Sequence, residues 1–75
     1  MLYKINNPKQ VGKRMRDKLS TQGVKPTVRN IADKMDCSTT TITKITKGRQ
    51  IDWNTVQEVA KFIGANASDI ASEVN

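Results

Sequence analysis

Apolar side chains recur along this chain at helical intervals, and the residues bracketing each run are those that start and stop helices. Val11, Met15 and Leu19 stand four apart, with Lys9, Lys13, Arg16 and Lys18 around them. Such a stripe predicts an amphipathic helix. Asn7-Pro8 supplies its start, because Asn caps and Pro at the first helical position loses no useful N–H, and Gln10 is placed to complete a capping box. Gly23 marks its end. Thr27 is the next cap, and Val28, Ile31, Ala32 and Met35 predict a second helix of two to three turns. Asp52 opens a later helix carrying Trp53, Val56, Val59, Ala60 and Ile63, stopped by Gly64. Asn66 or Ser68 opens a last short one carrying Ile70, Ala71 and Val74.

The stretch from Cys37 to Gly48, CSTTTITKITKG, conflicts with its own composition. Five threonines and two isoleucines are strand material, since β-branched side chains lose rotamer freedom in a helix. The spacing decides otherwise. Ile42 and Ile45 would point to opposite faces of a strand but share one face of a helix. Ser38 is a good cap and Gly48 a good stop, while Cys37 tucks into the core as a small hydrophobe. The prediction is therefore an all-α, five-helix domain, with helices at about 8–22, 27–36, 38–47, 52–63 and 67–74.

Length and charge restrict what such a domain does. Seventy-five residues make one small domain with one modest core. The opening MLYKINNPKQ lacks the apolar stretch of a signal peptide, and no run is long enough to cross a bilayer, so a cytoplasmic protein is expected. A single cysteine and no histidine exclude a disulfide framework and the usual metal-ligand clusters. Neither a cofactor nor a small-molecule ligand is indicated, and with no histidine base and no clustered carboxylates an enzyme is not expected. Residues 1–49 carry twelve basic and three acidic groups, and residues 50–75 one and four. A basic surface on one part of a small fold suits a polyanion, because each neutralised phosphate releases condensed counterions.

The residues from Thr27 to Gly48, TVRNIADKMDCSTTTITKITKG, carry a family resemblance. They resemble the helix-turn-helix of the Cro/cI (XRE) family, in which L-A, V-S, T-I-S and a final I and G recur in register. Ile31-Ala32, Cys37-Ser38, Thr41-Ile42-Thr43, Ile45 and Gly48 occupy those positions, and Asp52 to Ile70 is similar to the family's fourth helix and the start of its fifth. Val28 stands where the family has a glutamine, and Asp36 where it has the turn glycine. What the resemblance implies is a lambda-repressor-like fold, resembling small phage or prophage repressors, that binds a double-stranded DNA operator and regulates transcription.

On that reading the helix over 38–47 enters the major groove, with Thr39, Thr40, Thr43 and Lys44 toward the bases. Ser38, Lys47 and Arg49 are expected at phosphates, with the helix N-terminus formed by Thr27, Val28 and Arg29. Lys4, Lys9 and Lys13 extend the positive footprint. One domain covers few base pairs, so a homodimer on a near-palindromic operator is expected, weak off DNA, with Trp53, Phe62, Ile70 and Val74 as its candidate surface. The competing use of the same fold is a protein-interaction module, such as an antitoxin or a subunit of a complex.

Overall fold

A computed structural model describes residues 1–74. Four helices follow the predicted spacing: α1 (Pro8–Thr21), α2 (Val28–Met35), α3 (Thr39–Thr46) and α4 (Trp53–Ile63). Each begins at the residue whose side chain takes the first orphan amide. Asn7 accepts from the Gln10 N–H, Thr27 from Asn30, Ser38 from Thr41 and Asp52 from Thr55. Gln10 completes its box in a modified way, accepting from the Asn7 side-chain amide at 3.1 Å.

The four helices also end alike. An amide two or three residues past each helix reaches back to a carbonyl of the last turn: Val24 to Leu19 at 3.0 Å, Cys37 to Ala32 at 3.0 Å, Arg49 to Lys44 at 2.8 Å and Ala65 to Ala60 at 2.8 Å. This closure needs a left-handed residue just before it. Gly48 supplies it after α3 at φ 69°, and Asp36 supplies it after α2 at φ 55°. Asp36 is the sole non-glycine residue with positive φ among the described residues. Its short polar side chain tolerates that geometry at a cost glycine avoids.

The domain is not all-α. Leu2–Ile5 forms a strand, β1, at the centre of a three-stranded antiparallel sheet ordered β2-β1-β3, with β2 at Ile51–Asp52 and β3 at Ala71–Glu73. Tyr3 pairs with Ile51 on one side and Glu73 on the other, and Ile5 with Ala71. The last helix, α5, is correspondingly short: Ala67–Ile70, not 67–74. Beyond Ile70 the backbone turns extended and is taken up by β1, with the Val74 amide on the Leu2 carbonyl at 2.9 Å. The sheet closes the open end of the helical core, into which Ile5, Ile51 and Ala71 point.

Ile42 and Ile45 of α3, Met15 and Leu19 of α1 and Val56 and Val59 of α4 are wholly buried. Ile31 and Ala32 of α2 join them. Gly12 faces Thr46 at the seam between α1 and α3, where an added Cβ would lie 3.4 Å from the Thr46 methyl and 3.4 Å from an Arg16 guanidinium nitrogen. At the end of that seam the Pro8 ring lies against Gly48, 3.2 Å from where a Cβ would sit. Among the described residues no helix is long and apolar enough to cross a membrane.

Two stability predictions follow from the caps. Asp36→Gly raises stability by about 0.5–1 kcal/mol and Asp36→Ala lowers it by about 1 kcal/mol, which thermal melting resolves as shifts of about 4–8 °C per kcal/mol. The Asp52 carboxyl is held below its ordinary value, chiefly by its hydrogen bonds to Thr55. A depressed carboxylate contributes stability above its unfolded pKa that is lost as pH falls through the folded one. Urea midpoints at pH 6 and pH 3 should therefore converge more closely for Asp52→Asn than for the natural chain.

Candidate nucleic-acid interface

Burial of Ile42 and Ile45 fixes which face of α3 is presented. Thr40, Lys44 and Lys47 follow at helical spacing on the opposite side, exposed, with Thr39 beside them and Thr43 half-buried at the flank. Three consecutive β-branched residues at the start of an eight-residue helix cost up to about 0.7 kcal/mol each relative to alanine. The helix is held by its core contacts and its cap, not by propensity. The Ser38 hydroxyl accepts the Thr41 amide at 3.2 Å and lies 3.0 Å from the Thr41 hydroxyl. The cap engages Ser38 as an acceptor.

Arg49 departs from a rule the other helices keep. Val24, Cys37 and Ala65 hold the same closing position after their helices, and all three are apolar and pack on the core. Arg49 makes the same backbone bond but leaves its side chain in solvent. With Lys47 it places two cations at the end of the exposed face of α3.

The start of α2 differs in detail from the sequence expectation. Thr27, Val28 and Arg29 are exposed at one helix N-terminus, as placed by the sequence. The Thr27 amide, however, already donates to the Lys25 carbonyl at 2.9 Å, and the Thr27 hydroxyl accepts from Asn30 at 3.1 Å. The first-turn amides left for an anion are those of Val28 and Arg29. Val28 leaves 42 % of its surface exposed, so an apolar side chain stands where the resembled pattern has an amide.

Sequence reasoning gave Lys9 and Lys13 only a peripheral part and none to Gly12 or Arg16. Lys9, Lys13 and Arg16 lie at i, i+4 and i+7, on the side of α1 that Gly12 presses against Thr46 of α3. Pro8 against Gly48 brings the start of this stripe to the end of α3, which Lys47 and Arg49 follow. The remaining cations of α1 turn elsewhere: Arg14 donates to the Ile63 carbonyl at 3.2 Å, and Lys18 borders a hollow shared with Lys34, Asp36, Glu58, Lys61 and Phe62. The sequence signal was the charge spacing; the missing link was which neighbour Gly12 faces.

The expected dimer residues do not form one patch. Ile70 is 7 % exposed and belongs to the core, so it offers no surface to a second copy. Trp53 is half-buried and stacks on Tyr3, ring centres 4.9 Å apart at 46°. Leu2 and Val74 lie close by, joined through the sheet, whereas Phe62 sits a helix-length away near the other end of α4. Cys37 is half-buried at the edge of a hollow lined by Met35, Thr41, Asn54 and Thr55. Burial, and then the carboxylates of Asp36 and Glu58, raise its thiol pKa, which disfavours the reactive thiolate. Among the described residues no three His, Cys, Asp or Glu side chains gather as metal ligands.

Compared with protein-family models, curated proteins and solved structures, the chain matches none. The functional reading therefore stands on the geometry and on the sequence resemblance.

If the α1 stripe lies along a phosphate backbone, each cation removed lowers the counterion release by about one. Replacing Lys9, Lys13 and Arg16 together by alanine should flatten the slope of log affinity for any duplex against log salt by about two to three units. Fluorescence anisotropy between 50 and 200 mM salt measures it.

Proposed function

We propose that the domain is a sequence-specific double-stranded DNA-binding regulator of transcription, acting as a repressor, that lays α3 in the major groove. The observation that carries this reading is the pairing of a fully buried Ile42/Ile45 face with an outer face of Thr39, Thr40, Thr43 and Lys44. The cations Lys47 and Arg49 lie just past its end. Threonine donates, accepts or offers a methyl, and lysine reaches guanine O6 and N7 from the same groove. The amides of Val28 and Arg29 meet one phosphate through the backbone and the helix dipole. Lys47, Arg49 and the α1 stripe neutralise others. These contacts hold register without reading sequence.

The domain works at its DNA, in the cytoplasm, as a homodimer that binds two half-sites of a near-palindromic operator about one helical turn apart. Leu2, Trp53 and Val74 supply the apolar surface for pairing, with Phe62 outside that cluster. No cofactor enters this reading. The same cluster favours a second reading, a protein-interaction module such as an antitoxin or complex subunit, because Leu2 exposes 47 % of its surface beside the Tyr3/Trp53 stack. That reading predicts binding to a partner protein and none to duplexes at 50 mM salt.

Lys44→Ala should relax preference at one base pair by about fivefold to a hundredfold while leaving binding to random duplex nearly unchanged. Lys47→Ala or Arg49→Ala should instead weaken every duplex similarly and reduce the salt slope by about one unit. Competition anisotropy with single-substitution operators separates the two patterns, and equal effects of all three on every sequence would remove Lys44 from the reading surface.

A further inference from the structure

The threonine hydroxyls of α3 are not equally available. The Thr41 hydroxyl pairs with the Ser38 cap at 3.0 Å, and the Thr46 hydroxyl donates to the Thr43 carbonyl at 3.2 Å. The Thr43 hydroxyl donates to the Thr39 carbonyl at 3.1 Å, one turn back. Thr39 and Thr40 take no part in this side-chain network and are exposed. A hydroxyl has a single hydrogen to give. Redirecting the Thr43 hydrogen to a base would exchange one hydrogen bond for another and return the helix carbonyl to solvent, for little net gain. With its hydrogen committed, Thr43 can offer a ligand its methyl group or the remaining acceptor capacity of its oxygen, but not a donor.

We infer that Thr43 is a receptor for the 5-methyl group of a pyrimidine, and that hydrogen-bond donation to the bases is left to Thr39, Thr40 and Lys44. This rests on the DNA-binding reading above and adds the ligand chemistry at one position. In the major groove the 5-methyl group is the apolar feature that tells thymine from the other bases. Thr43 is suited to it by position as well as by chemistry. It lies one turn after Thr39 and next to Lys44, at the half-buried flank of the exposed face, where its side chain is partly desolvated before any contact forms. Removing a methyl from water is favourable wherever it occurs, so the contact adds affinity without a new polar partner. A 5-methylcytosine presents the same group from a G·C pair, and Thr43 accepts either base.

The test uses the natural chain and a duplex selected for binding from a random pool. Each thymine is replaced singly by deoxyuridine, which removes the methyl and nothing else. One position per half-site should lose about threefold to tenfold in affinity. The loss should persist in Thr43→Val, which keeps a methyl and is β-branched like threonine, and vanish in Thr43→Ser, which keeps the hydroxyl alone. Coupling to residue 43 separates a direct contact from a change in duplex shape. At the same position cytosine should bind weakly and 5-methylcytosine should recover the affinity; recovery with thymine alone would overturn the acceptance of either base. The inference is overturned if Thr43→Ser binds like the natural chain while Thr43→Val does not, or if no uracil-sensitive position couples to residue 43. Failure of any duplex to be selected would overturn the DNA-binding reading itself, a result distinct from these.

Discussion

Everything on the outer surface of α3 follows from the burial of Ile42 and Ile45. Both are fully removed from solvent, and α3 packs against α1, α2 and β2. A helix of eight residues rich in threonine would not persist in water by itself, because nucleation is costly and β-branched residues add to that cost. Tertiary packing holds it, and packing needs only one face. Selection on the other face is then free of any requirement for helix stability, and side chains that contribute nothing to folding occupy it. Ile42→Ala or Ile45→Ala would therefore harm the exposed face through the buried one.

The electrostatics are organised by the same seam. Gly12 of α1 faces Thr46 of α3 and Pro8 abuts Gly48, so the start of α1, which carries Lys9, meets the end of α3, which Lys47 and Arg49 follow. Asp36 and Glu58 share a different hollow with Lys18, Lys34 and Lys61. A cluster of cations attracts a polyanion over a Debye length of about 8–10 Å.

Much of this was legible before the structure because it is local. Asn7, Thr27, Ser38 and Asp52 each cap where their side chains predict, and the three-residue spacing of Ile42 and Ile45 outweighs a β-rich composition. Asp36 takes the left-handed turn as its short side chain allows. The sheet was not legible, since strands of two to four residues carry too few positions to show a period and owe their existence to partners nearly fifty and seventy residues away. That pairing also shortened the last helix and drew Ile70 into the core. At the site, residue types were readable but hydrogen-bond commitments were not. The Thr27 amide is used by Lys25 and the Thr43 hydroxyl by Thr39, and neither follows from spacing.

On the proposed function, the exposed face of α3 reads base sequence in duplex DNA. Selection of bound duplexes from a random pool by the purified chain, followed by sequencing, tests it most directly. The expected result is a short motif repeated as a near-palindrome, with half-sites about 10 base pairs apart. Recovery of unenriched sequence at every salt concentration, or no retained duplex at 50 mM salt, would contradict it.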